Sequence, residues 1–455
     1  MDAIDDFVAH VMGTGFADLP PDAVRAAKTF TLDSFGVGLS GGAGPWVDEL
    51  IELSRQWGEG GDARVWGHGL RLPASAAALC NAYQIHNAEF DCVHEGAVVH
   101  SMTVLLGAAM AEAERRGNVS GRDLLLAAVL GVDVACHISV GVTTGLKFFR
   151  PGTAGALAAV TAIAKLRGFD AETLRNAYSI AYGQICGTMQ AHTEGSMLLG
   201  MQVGFNARNA VVACDMAAAG LQGPRNILEG PFGYLRLIED GYDRDVLLGS
   251  LGKTWRITEL SHKPFPSGRA THGIVDGCLG LQREHGFSAD EVAGIEAHVP
   301  PLIHHLVGRP VEDRMSTNYA RLCAAYVTAH ALRHQGIGVN AYDTGNLRHP
   351  ESQDLARRVH IEIDDNPDPN ALVPVTVSIT LKNGAQHKVT IKDVYGSPAN
   401  PMTHTAHLDK FRNNCAAAPR PIGAERAEAL IARVEELEAV EDVVTLVDLM
   451  MPAGA

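Results

Sequence analysis

No Cys-x-x-Cys pair occurs in the chain, although eight cysteines are present, at 80, 92, 136, 186, 214, 278, 323 and 415. They sit mostly in apolar helical sequence and read as reduced core thiols, not as disulfides or zinc ligands. No basic stripe offsets the formal charge of -15, which argues against a nucleic-acid partner. No uninterrupted apolar run approaches the ~18 residues of a membrane span, so no membrane partner is expected. The opening Met1-Asp-Ala-Ile-Asp-Asp is acidic and lacks a basic stretch followed by an apolar core; no signal peptide is expected, and a cytoplasmic enzyme fits. A Walker or Rossmann glycine loop after a strand is missing, which argues against a nucleotide. Internal repeats and low-complexity linkers are missing as well.

What is there is ordinary for a globular enzyme: 46% apolar and 20% charged residues over 455 positions, more than one hydrophobic core usually serves. Helical periodicity predicts helices over 5–12, 22–37, 46–57, 73–93, 101–116, 121–140, 155–166, 171–186 and 205–219. Gly58 to Gly69 reads as a glycine-rich surface connection. Near Glu291 the period changes to two. Strands are predicted over 292–299, 359–363, 373–381 and 386–391, the last two joined by Asn383-Gly384 as a hairpin. Helices are expected between them over 319–334 and 349–359. The tail, 402–415 and 424–450, is helical again. The expected fold is therefore mostly α with an α+β lid. A large helical domain is built from 1–264 and 401–455, and a smaller α+β domain from 265–400.

One stretch stands out, Asn81 to His100. Read as helix through Val93, it places His86 and Glu89 on one face, with Asp91, His94 and Glu95 close behind; Gly96 breaks it before His100 and the cap Ser101. Three histidines among acids, flanked by Ala-rich helix, suit a cleft wall better than a solvated surface. A bland alternative stands beside each: His86 as a satisfied core histidine, Glu89 as its helical partner. A metal is not expected, because no histidine pair has the i, i+4 spacing of a zincin helix, and His94 and His100 would lie about 240° apart on one helix. His192 and the pair His304-His305 read as loop and lid-surface residues.

Several stretches together resemble the MmgE/PrpD family, which includes 2-methylcitrate dehydratase, cis-aconitate decarboxylase and iminodisuccinate epimerase. They are Leu19-Pro-Pro-Asp with Leu32-Asp-Ser-Phe-Gly-Val, Asn81 to His100, Gly152-Thr-Ala-Gly, Lys263-Pro-Phe-Pro-Ser-Gly-Arg-Ala-Thr-His272, Ala320 to Tyr326, and Asn400-Pro-Met with Lys410-Phe-Arg. The resemblance implies a homodimer and chemistry without metal or organic cofactor between two domains. It carries His100, His272 and Tyr326 over as catalytic residues. Glu89 stands where relatives commonly have Asp, and Asp91 matches the next acid. Three departures follow: Arg150 at or beside a usual His, Leu199 and Gln202 in place of a usual Lys and His, and Cys92 in place of Asp.

The family's reactions imply charge on the carbon next to a carboxylate, which needs a base near neutral pKa, a proton donor and cations for the substrate. Arg150, Arg269 and Lys263 are the candidate carboxylate clamps, with His86, Glu89, Asp91 and His94 as further contacts. The expected activity is a cofactor-independent lyase, a dehydratase of a small di- or tricarboxylate. The alternatives are an isomerase or epimerase, a decarboxylase, or a non-catalytic carboxylate-binding relative.

Overall fold

The computed structural model describes residues 2–452; residue 1 and residues 453–455, the ends of the expected helical domain, lie outside the described residues. Helices dominate the chain up to Gly249, and the local signals that start several of them are those in the sequence. Pro21 opens Pro21–Gly41 at its first turn, and Ser120 caps Gly121–Val140 in a reciprocal box with Asp123. Gly121–Val140 is long and apolar enough to cross a membrane, with a mean hydropathy of 1.8, but 83% of that window is buried inside the protein. It packs on Arg150–Arg167 as a core helix.

Small residues let the helices meet at backbone distance. A Cβ on Gly107 would fall 2.9 Å from the Ala82 backbone, and one on Gly204 2.7 Å from the Leu79 carbonyl. Ala74–His86 is thereby held between Ser101–Arg116 and Leu198–Ala218. The apolar core so formed runs from Ala3 to Leu260 and takes in Phe411 to Met451 from the C-terminal helices.

A second core, Phe265 to Leu381, belongs to the smaller α+β unit. Its four-stranded sheet has the order 359–363, 292–299, 375–381, 386–391. The first pair is parallel (Ile295 beside Val359), the others antiparallel (Ala297 beside Val377, Val375 beside Ile391). Strict alternation of buried and half-buried residues along Val375–Leu381 points Val375, Val377, Ile379 and Leu381 inward. Helix His272–His285 packs on this sheet, and Ala324–His334 packs on that helix.

Beyond shifted ends, as in Leu198–Ala218 for the helix expected over 205–219, the fold departs from the sequence reading at four places. The Gly58–Gly69 connection contains a short strand, Ala63–Val65, paired antiparallel with Leu70–Leu72 just beyond it. Helix 319–334 is broken into Thr317–Arg321 and Ala324–His334 by extended backbone at Cys323. The last helix is interrupted after Glu435. Most consequentially, the helix expected to reach Val93 ends at His86.

Candidate active site

That early stop builds the site. Asn87 closes the helix while its side-chain amide donates to the Gly41 carbonyl at 2.8 Å. Two residues on, Glu89 takes a left-handed backbone, φ 52, and Val98 does the same, φ 54. Neither is glycine, and each such residue costs ~1–3 kcal/mol unless its surroundings dictate the conformation, a condition commonest at functional sites. Here Val93 and His94 pair antiparallel with Ser261 and Leu260, which brings Lys263 under the loop. The Lys263 ammonium lies 2.9 Å from Glu89 Oε2 and 3.9 Å from Asp91 Oδ1, fully buried.

Asp91 is the hub. Its Oδ2 accepts from His86 Nδ1 at 3.0 Å, from His100 Nδ1 at 3.0 Å and from the Thr103 hydroxyl. The two imidazoles meet edge to face, centroids 4.9 Å apart. Because each Nδ1–H points at Asp91, each Nε2 points away from it. That of His86 is buried without a hydrogen-bond partner, 3.5 Å from Glu89 Oε1, and the His100 ring lines a cavity.

The shared carboxylate does not treat the two rings alike. Burial alone would lower His86, but Asp91 and Glu89 outweigh it and raise the ring above its ordinary value of 6.5. Burial of His100 is opposed by Asp91 alone while Lys263 and His86 add to it, so that ring is lowered. Burial pushes the Glu89 carboxyl up, yet Lys263, His86 and His100 bring it down to about 2. Asp91 is likewise held well below the carboxylate range against its burial, by His100 and His86. Opposite displacement of two neighbouring groups is the pattern that separates an acid from a base.

The cavity is small, about 70 Å³, and lies between the helical body and the lid. Its polar wall is His86, Glu89, His100, His192 and Arg269. The rest is mostly apolar: Leu146, Phe149, Met189, Leu199, Leu306 and others. A larger hollow of about 380 Å³ lies on the Asn87 side and presents Arg321 and Tyr342, but no imidazole lines it.

Of the residues expected in the site, His86, Glu89, Asp91, His100 and Lys263 are brought together. Others are placed differently. The expectation that His272 faces His100 across the cleft is not met. His272 is completely buried in the lid, stacked on Phe265 at 4.0 Å, with Nδ1 accepting from Arg269 and Nε2 donating to the Ser267 carbonyl. The Tyr326 hydroxyl donates to the Ala341 carbonyl at 2.7 Å inside the lid core and does not reach the cavity wall. Tyr326→Phe is therefore expected to leave turnover within a few-fold and to destabilise the protein by about 1–3 kcal/mol through the orphaned carbonyl; kcat and the urea midpoint check both.

All three clamps are occupied, Lys263 by Glu89. Arg150 is fully committed to Glu239, at 3.1 and 2.9 Å, and to the Ala97 carbonyl. Arg269 reaches the cavity wall, but Glu95 and the carbonyls of His262, Val394 and Tyr395 take its donors. His94 is a strut between Glu259, 2.8 Å from Nε2, and the Ala97 amide. Asp91 positions the histidines and does not face the cavity.

Four participants were not singled out as such. His192, read as a loop residue, is buried and lines the cavity, where burial and Arg309 lower it to about 3. Thr103 is the third donor to Asp91, and Glu239 neutralises Arg150. Leu199 lines the cavity, whereas Gln202 turns away to the Thr188 backbone. Of these only Leu199 carried a signal, as a departure from the family pattern. Two groups among the described residues could hold a cation, His86–Asp91–His100 and Asp33–His262–His407. In the first, Nδ1–H bonds already occupy the shared oxygen. In the second, Asp33 is paired with Lys410 at 2.6 Å.

Comparison with known proteins agrees with this architecture. The MmgE/PrpD N-terminal domain matches residues 5–246 and the MmgE/PrpD C-terminal domain residues 265–437. Cis-aconitate decarboxylase of Aspergillus terreus is 27% identical over 461 residues, covering 95% of this chain and 92% of its own. Those of Mus musculus and Homo sapiens are each 27% identical, covering 98% of this chain and 93% and 94% of their own. With both family domains matched in order over most of its length, the chain belongs to the MmgE/PrpD family.

Proposed function

We propose that this protein is a cofactor-independent lyase that eliminates water from a small hydroxy acid. His100 Nε2 takes a proton from the carbon next to the substrate carboxylate. The C–O bond at the adjacent carbon then breaks, a double bond forms between the two carbons, and the leaving hydroxide departs as water with a proton from His86 Nε2. Asp91 holds both rings in the tautomers this requires and balances the charge that forms on His100. The observation that carries the reading is the pair of imidazoles on one carboxylate, displaced in opposite directions beside a cavity.

A second reading is decarboxylation, in which His86 protonates the carbanion left by carbon dioxide. The apolar cavity wall favours it, since a poorly solvated carboxylate loses charge density more readily than a hydrated one, and the relatives carry that name.

Proton NMR of a panel of carboxylic acids in deuterated water tests both. Elimination yields an alkene and deuterium at the carbon next to the carboxylate of recovered substrate; decarboxylation yields deuterium where carbon dioxide was lost. His100→Gln is expected to slow either by about 10²–10⁴-fold, and turnover that survives it would remove His100 as the base. Turnover should also be bell-shaped in pH. The base must be deprotonated, so activity falls on acidification with a midpoint below 6.5; the acid must be protonated, so activity falls on alkalinisation with a midpoint above 6.5. His86→Gln should remove the alkaline limb and leave the acid limb in place.

A further inference from the structure

The geometry points to a substrate with one carboxylate to be held and an apolar hydrocarbon flank, not the multiply charged acid that the family resemblance led us to expect. This rests on the lyase reading, because it concerns what that cavity accepts.

Three cations border the cavity region, and each is matched by a carboxylate of the protein: Lys263 by Glu89, Arg269 by Glu95 and Arg150 by Glu239. Their charge is spent within the fold. Glu89 itself lines the cavity, so a second or third substrate carboxylate would meet a fixed negative charge in a poorly solvated space. One guanidinium behind this wall has no carboxylate partner among the described residues. Arg309 is not itself a wall residue, but its Nη2 donates to the carbonyls of His192 and Leu306, which are; its guanidinium lies 4.9 Å over the Tyr319 ring, and its Nη1 is buried with no hydrogen-bond partner. Buried polar atoms without partners are rare in folded proteins, and a ligand carboxylate is the partner a guanidinium edge fits best. Arg321, also free of an ion pair, faces the larger hollow instead.

The apolar side is as definite. Leu146, Phe149, Met189 and Leu199 line the cavity from the helical body, and Leu306 and Leu322 line it from the lid. A hydroxyl or carboxylate placed against them would find no hydrogen-bond partner, whereas a methyl or ethyl group would lose only water. The volume of about 70 Å³ agrees with a short substrate, since pockets for drug-sized ligands begin at ~300 Å³.

The test compares 3-hydroxybutyrate, 3-hydroxy-2-methylbutyrate, malate and citrate as substrates of the full-length protein, followed by proton NMR in deuterated water. The two alkyl monocarboxylates should show dehydration or deuterium uptake at least about 10-fold faster than malate or citrate, the margin expected of a charge left unpaired in a buried site. Arg309→Gln should raise their KM on the order of 10- to 100-fold with kcat little changed. Leu199→Lys should shift preference toward malate and citrate. Wild-type preference for malate or citrate would overturn this inference and leave the lyase reading intact. Reaction with none of the four nor with the wider acid panel would overturn the lyase reading itself. Unchanged KM in Arg309→Gln would overturn the assignment of the carboxylate to that residue.

Discussion

Asp91→Asn is expected to lower kcat by about 10³–10⁴-fold, the scale of loss when an amide replaces the carboxylate that orients a catalytic histidine. Three donors converge on Asp91 Oδ2, and an amide oxygen cannot serve all of them with the same strength. One imidazole would then be free to flip or to change tautomer, placing N–H where the substrate needs a lone pair. The charge matters as much as the geometry. Asp91 is the largest influence holding His86 above 6.5 against its burial, so without it the alkaline limb of the pH profile should move down into the neutral range. Measuring kcat across pH 5 to 9 with an acid that the wild type turns over separates the two effects: a lowered plateau reports orientation, and a displaced alkaline limb reports charge. Retention of turnover within about 10-fold would move proton transfer away from these rings, and His192 would then be the imidazole left in the wall.

Why the centre was legible in the sequence while its surroundings were not can be traced to particular residues. Strands 292–299, 359–363 and 386–391 were read to their ends because a half-buried strand writes its environment into alternate residues. The density of His and acidic residues from His86 to His100 marked the loop for the same reason: charged side chains that crowd an apolar stretch need each other. Helix propensity, by contrast, does not know about position 263. Residues 87–93 keep a helical pattern, and distant groups stop the helix at His86: the Gly41 carbonyl and the Lys263 ammonium, 46 and 174 residues away from their partners, with Lys410 on the Phe90 carbonyl and Arg321 on the Asn87 carbonyl. Arg150, Arg269, His272 and Tyr326 have the side chains a carboxylate enzyme uses, and their types misled for a common reason. Each found an internal partner: Arg150, Arg269 and Tyr326 have Glu239, Glu95 and Ala341, 89, 174 and 15 residues away, and His272 turns back to Ser267 and onto Phe265 within its own segment. His192 is the converse case, a lone histidine in an unremarkable segment that tertiary packing turns toward the cavity.

The pair most exposed to disruption is Lys263 with Glu89. Lys263→Met is expected to destabilise the protein by about 3–5 kcal/mol at pH 7, because it leaves Glu89 buried and charged without its ammonium. The pH dependence gives the sign. In the intact protein Glu89 is depressed from 4.5 to about 2, so its contribution to stability is present above 4.5 and is lost as pH falls from there through about 2. Without Lys263 the remaining burial pushes the same carboxyl upward, and the folded state then gains by binding a proton. The variant should therefore lose most against wild type at pH 7 and less at pH 4, read from urea midpoints at both values. Glu89→Gln added to Lys263→Met removes the orphaned charge and should restore part of the loss, a coupling that independent sites would not show. Because Glu89 raises His86 and Lys263 lowers His100, that double variant should also bring the alkaline limb down and move the acid limb up. A stable double variant with both limbs unmoved would mean that the Glu89–Lys263 pair supports the loop alone, with no part in setting the protons on His86 and His100.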